Sequence, residues 1–161
     1  KYDLIVMYQG DEPLVKPNDL KRVLNSFKDP NVNIVNLMSK IEDKKILVDK
    51  NNVKVVVKKN NDAIYFSRLP IPSRDNFRSK VKCYLQSGVI AFREKHLLEF
   101  NSISETYLEK VESVDMNRLI ENNINVRMVL TKGITLGIDT KKELLFAEKI
   151  LKKDKFINKY K

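Results

Sequence analysis

Tyr2-Asp3-Leu4-Ile5-Val6-Met7-Tyr8-Gln9-Gly10-Asp11-Glu12-Pro13 is the stretch on which the reading of this chain turns. From Tyr2 to Tyr8 the residues are almost continuously apolar, and the run stops at Gln9-Gly10-Asp11. This is the pattern of a buried strand of the parallel-sheet type that ends in a loop. After Pro13, the segment Pro17-Asn18-Asp19-Leu20 opens a helix through about Lys28, with Leu20, Val23, Leu24 and Phe27 on one stripe. Asn33 to Ile41 is the next strand. A strand, a helix and a further strand make the crossover unit of α/β domains.

Further along, Lys54 to Val57 and Ala63 to Phe66 read as a hairpin, because Asn60-Asn61-Asp62 between them tolerates turn conformations. Pro70 and Pro72 interrupt regular pairing, and Ser73 to Lys80 reads as a polar loop. Tyr84 to Phe92 is a strand with Gly88 inside it, a place where a side chain would obstruct something that approaches closely. Glu94 to Phe100 and Leu108 to Asn122 read as helices, and Asn125 to Thr131 as a strand. Thr140 with Glu143 forms a capping-box pattern ahead of Leu144, Leu145, Ala147, Ile150 and Leu151. The expected class is α/β, a mixed and mainly parallel sheet flanked by helices, in one domain.

Composition narrows the chemistry. No apolar run reaches the length needed to cross a bilayer, and no secretory signal is visible, so the expectation is a cytoplasmic protein without a membrane partner. The single Cys83 and single His96 cannot build a zinc cluster or a thiol or serine nucleophile system. A net charge of +10 invites a nucleic-acid reading, but the excess is concentrated at the end of the chain, where eight Lys of residues 141–161 face only Glu143, Glu148 and Asp154. Elsewhere Lys and Asn are scattered over what read as solvated faces. The expectation is no nucleic-acid partner.

Two acidic positions stand out. Asp11 follows the first strand beside Gly10, at the sheet edge where open α/β sheets bind ligands; a glycine there lets backbone approach a phosphate or sugar, and a carboxylate is a hard ligand for Mg²⁺. Asp139 in Gly137-Ile138-Asp139-Thr140 directly precedes the capped helix. Taken singly, the first is most often a turn former and the second a helix cap.

In order along the chain, Gln9-Gly10-Asp11-Glu12-Pro13, Asn52-Val53-Lys54-Val55-Val56, Ala63-Ile64-Tyr65-Phe66-Ser67-Arg68 with Pro70-Ile71-Pro72, Gly88-Val89-Ile90-Ala91-Phe92-Arg93, Leu108-Glu109 with Val111-Glu112, and Gly137-Ile138-Asp139-Thr140 with Glu143-Leu144 resemble the motif series of the 3-deoxy-manno-octulosonate (KDO) cytidylyltransferases, the CMP-KDO synthetases. The resemblance spans residues 2 to 151. It implies a Rossmann-like nucleotidyltransferase fold and a Mg²⁺-dependent transfer of CMP from CTP to a 2-keto sugar acid, with loss of pyrophosphate, in lipopolysaccharide biosynthesis. It further implies that Asp11 and Asp139 hold the metal as catalytic residues, and that Gln9, Gly10, Arg68, Gln86 and Asp115 lie on the substrate side, Arg68 either reading a carboxylate or bracing the site loop. CTP, an acidic sugar and a homodimer are the implied partners.

The chain departs from that pattern in two ways. Gln86 stands where the family usually has His, Ile90 where it has Tyr, and Asp115-Met116-Asn117 where it has a Glu-Gln pair, so the acceptor is expected to be KDO, a related acid or another anion such as a phosphonate. The family also carries an Arg-, Gly- and Lys-rich CTP loop upstream of all these motifs, and no equivalent occurs here. Residues 1–152 are therefore expected to be the C-terminal two-thirds of a cytidylyltransferase domain, incomplete at the N-terminus and inactive alone, with 153–161 a basic tail. The alternative is a non-catalytic binding module of the same fold.

Overall fold

A computed structural model describes residues 2–73, 81–133, 135 and 137–154. Six strands form one mixed sheet: β1 (Leu4–Tyr8), β2 (Ile34–Lys40), β3 (Lys54–Val57), β4 (Ala63–Ser67), β5 (Tyr84–Arg93) and β6 (Arg127–Leu130). Around it lie α1 (Pro17–Ser26), α2 (Lys44–Val48), α3 (Glu94–Ser102), α4 (Tyr107–Glu112), α5 (Met116–Glu121) and α6 (Lys141–Leu151). The strand order is β4-β3-β5-β2-β6, with β1 also paired to β5. The expected class of helices on a mixed sheet holds. The balance of directions differs, since only β2 with β6 is parallel among these pairs, and β1, β2 and β3 all run antiparallel to β5.

The reason lies in β5, the longest strand, which inserts between β1 and β2, so the two strands of the expected crossover unit are not neighbours. β2 covers one edge of β5 along its length. The other edge is shared, β1 pairing with Val89 to Arg93 and β3 with Tyr84 and Leu85. A notch is left between them at residues 86–88. β1 is consequently not the fully buried strand that its apolar run suggests, and Val6, Met7 and Tyr8 are exposed.

Alternation along β2 and β5 splits the core into two faces. Ile34, Met38, Ile90 and Phe92 pack with Phe66, Phe100, Met116 and Leu119 under α3 and α5. Val35, Leu37, Val89 and Ala91 pack with Val23 and Phe27 of α1. Each such side chain removed from water contributes roughly 1.5–3 kcal/mol.

The β3–β4 hairpin forms as expected, with Asn61 at a φ of 66° in its turn. The helix expected from Leu108 to Asn122 is instead two, because Ser113 adopts a left-handed conformation, φ 52°, that ends α4. On α6 only Ala147 is buried, whereas Leu144 and Leu145 of the expected apolar stripe are exposed. The loop expected up to Lys80 and the basic tail fall mostly outside the described residues. No helix among the described residues is long and apolar enough to cross a membrane.

Candidate active site

The notch on β5 opens into a cavity of about 870 Å³ lined by residues from every motif that the sequence singled out. Gln9, Asp11, Arg68, Gln86, Asp115 and Asp139 all line it; Gly10 does not. A Cβ on Gly10 would meet no protein atom within 4 Å, so its neighbourhood is open. The crowded glycine is Gly88. A Cβ there would fall 2.1 Å from Gln9 Oε1, because the Gln9 side chain lies across the strand at that point.

Asp11 and Asp139, far apart in sequence, converge. Their Oδ2 atoms lie 3.5 Å and 4.0 Å from where a Gly137 Cβ would stand, so both carboxylates reach the same side of Gly137. The Ile138 amide donates to the Asp11 carbonyl at 2.9 Å and fixes the two loops to each other. Asp139 is held in turn by the capping box of α6, in which the Glu143 carboxylate accepts from the amides of Asp139 and Thr140 at 2.9 and 2.7 Å. Both aspartates are solvent-exposed. Among the described residues no three His, Cys, Asp or Glu side chains converge into a metal cage. Two carboxylates at an open cavity nevertheless fit Mg²⁺, which is ordinarily held by one or two carboxylates, waters and substrate phosphates.

The rest of the wall is built from hydrogen bonds that no spacing rule displays. Glu12 is buried, its carboxylate accepting from the Gly88 amide and the Ser87 hydroxyl, each at 2.5 Å. Burial pushes its pKa up, although these two bonds pull the other way. Asn36, fully buried, donates through Nδ2 to the Ser87 and Val89 carbonyls, and its Oδ1 accepts from Gln86 Nε2 at 2.9 Å. Gln86 is thereby fixed at the cavity.

Arg68 commits its guanidinium to carbonyls: Nε to Glu112, Nη1 to Lys50 and Asn51, Nη2 to Ser113. Lys54 donates its ammonium to the carbonyls of Asp49, Asn52 and Arg68, and burial lowers its pKa. Together these cations brace the loop at residues 49–52, part of the cavity wall. Glu112 accepts from the Arg68 amide and from the Tyr65 and Ser67 hydroxyls. Those bonds outweigh desolvation and lower its pKa, while burial and Glu112 push Tyr65 up to about 12. Asp115 lines the far wall, where desolvation and the nearby Glu109 raise its carboxyl. Of the other altered positions, Met116 is in the core and Asn117 pairs with the Phe66 backbone through both ends of its amide, so neither faces a ligand.

The sequence model of the cytidylyltransferase family matches residues 1–143. The chain belongs to that family. Cytidylyltransferases similar to it include the 3-deoxy-manno-octulosonate cytidylyltransferase of Christiangramia forsetii, 34% identical over 92% of this chain and 61% of the relative, and that of Lawsonia intracellularis, 37% identical over 92% and 58%. Among solved structures, a CMP:2-keto-3-deoxy-manno-octonic acid synthetase complexed with CTP superposes with a TM-score of 0.83 at 31% identity, covering 93% of this chain and 62% of that one. The chain thus spans about three fifths of the length of these cytidylyltransferase relatives.

Proposed function

We propose that this chain supplies the cation-binding and acceptor-binding part of an enzyme that transfers CMP from CTP to a 2-keto sugar acid, KDO or a related acid, releasing pyrophosphate. The observation that carries the proposal is the meeting of Asp11 and Asp139 beside Gly137 at the edge of the cavity. In phosphoryl and nucleotidyl transfer, charge spreads over the phosphoryl oxygens, and catalysis consists largely of positioning and charge neutralisation. Asp11 and Asp139 would hold a Mg²⁺ ion, which when bound supplies that neutralising charge. Gln9, lying on Gly88, and Gln86, fixed by Asn36, offer hydrogen bonds to the hydroxyls and carboxylate of the acid. Arg68 and Lys54 keep the wall opposite them in place.

In the polypeptide that carries this chain, pyrophosphate release from CTP is expected to require both Mg²⁺ and an acidic sugar. Asp11→Asn and Asp139→Asn should each slow it about a hundredfold or more while circular dichroism stays unchanged. Undiminished turnover in either variant refutes the assignment. A second reading rests on Gln86, which lines the cavity where the resemblance leads one to expect His. It gives an anionic acceptor other than KDO, such as a phosphonate, and a panel of acceptors assayed for pyrophosphate release separates the two.

A further inference from the structure

The edge of β5 that faces the notch presents a buried amide that neither neighbouring strand can satisfy. β1 ends opposite Val89, β3 pairs only with Tyr84 and Leu85, and the Gln86 amide reaches the Val53 carbonyl at 2.8 Å. Gly88 is left between them. Its carbonyl accepts from the Gln9 amide at 3.2 Å, but its own N–H has no strand carbonyl to meet and bonds instead to the Glu12 carboxylate at 2.5 Å. A buried amide without a partner is costly, so this bond replaces a missing rung of the ladder.

The same carboxylate takes the Ser87 hydroxyl on its second oxygen, and the Glu12 amide closes a turn on the Gln9 carbonyl at 3.2 Å. The Tyr8 hydroxyl adds a fourth tie, donating to the Glu12 carbonyl at 2.5 Å. Gly10 and Asp11 are the two central residues of that turn. The turn is therefore gripped at both ends by β5, through Gln9 across Gly88 and through Glu12 at the strand edge. Among the described residues Glu12 has no ion-pair partner, so its buried charge is compensated only by these neutral donors.

We infer that Glu12 is a positioning residue: by standing in for the absent strand at Gly88, it sets where Asp11 presents its carboxylate to Asp139. The inference about what Asp11 holds rests on the cation reading given above, whereas the grip on β5 is independent of it. Two measurements separate them. The first is amide hydrogen exchange at Gly88, bonded to Glu12, and at Ile138, bonded to the Asp11 carbonyl. In Glu12→Ala both amides are expected to lose protection, and in Glu12→Gln, which keeps an acceptor for Gly88, both are expected to retain most of it. Protection at Ile138 that survives Glu12→Ala overturns the inference, because the Asp11 turn would then hold its place unaided.

The second is Mn²⁺ titration followed by electron paramagnetic resonance. Glu12→Ala is expected to weaken binding about tenfold or more, the scale typical of residues that orient a metal ligand. Glu12→Gln should recover most of it. Leu119→Ala, a core change remote from the turn, serves as the control for lost stability and should leave the affinity of the folded protein unchanged. If Leu119→Ala weakens Mn²⁺ binding as much as Glu12→Ala does, the effect is global and the positioning role falls. Failure of the unaltered protein to bind Mn²⁺ would count against the cation reading alone, and the exchange data would still decide the role of Glu12.

Discussion

Glu109 shows how a residue inside a recognisable motif can be tied into the frame of the cavity it lines. Its carboxylate takes a two-point grip from Arg118, 2.7 Å from Nε and 2.5 Å from Nη2, while the same guanidinium lies 4.7 Å over the Phe100 ring. The hydrogen bonds from Arg118 hold the Glu109 pKa below its usual 4.5, against a smaller opposing pull from burial, and the Arg118 pKa is raised in return. A depressed carboxyl contributes stability that is complete above its unfolded pKa and is lost as pH falls through the lower folded value. Urea midpoints should therefore decline below about pH 4.5, and Glu109→Gln should be less stable at pH 7 with a shallower decline in acid. Parallel acid limbs for the two proteins would contradict this. At this scale Asp11, Asp139 and Gln9 were legible, because each sits at a strand or helix end in a motif, whereas Gln86, inside β5, was noticed only as a departure from the family pattern. Glu12, Asn36 and Lys54 were not singled out as parts of the site, since their partners, mostly backbone groups with the side chains of Ser87 and Gln86, are brought near only by the fold.

The first turn of α6 links an element to the site. Thr140 caps it, accepting the Glu143 amide at 3.3 Å, and Glu143 returns bonds to the amides of Thr140 and Asp139. The pattern Thr-x-x-Glu disclosed this box directly. Thr140→Ala is expected to cost about 1 kcal/mol in urea unfolding. Glu143→Ala should additionally free the Asp139 amide and weaken Mn²⁺ binding, a change that a purely helical role would not produce. Elements whose signal is local were readable: α1, the β3–β4 hairpin and α6. The break at Ser113 was not, because a serine in a left-handed conformation has no sequence signature of its own; there the Ser113 carbonyl accepts from Arg68, which follows β4. Strand direction was also out of reach. An apolar run predicts burial, but whether β5 enters between β1 and β2 depends on tertiary pairing.

For the whole molecule, the site exists only when residues near the two ends of the chain meet, and this couples ligand binding to folding. Asp11 enters from the end of β1 and Asp139 from the start of α6, and the Ile138–Asp11 bond joins them. The unfolded chain has no such pairing, so under the cation reading a divalent ion held by both carboxylates would stabilise the native state by mass action, by about 2.7 kcal/mol at a concentration of 100 times its dissociation constant. The melting temperature of the unaltered chain should therefore rise progressively with Mg²⁺ or Mn²⁺. Asp139→Asn removes one of the two carboxylates beside Gly137 at an exposed position, so it should leave cation-free stability nearly unchanged while abolishing the rise. A melting temperature that climbs equally in Asp139→Asn would mean that the cation binds elsewhere, and one that stays flat in both proteins would count against the cation reading.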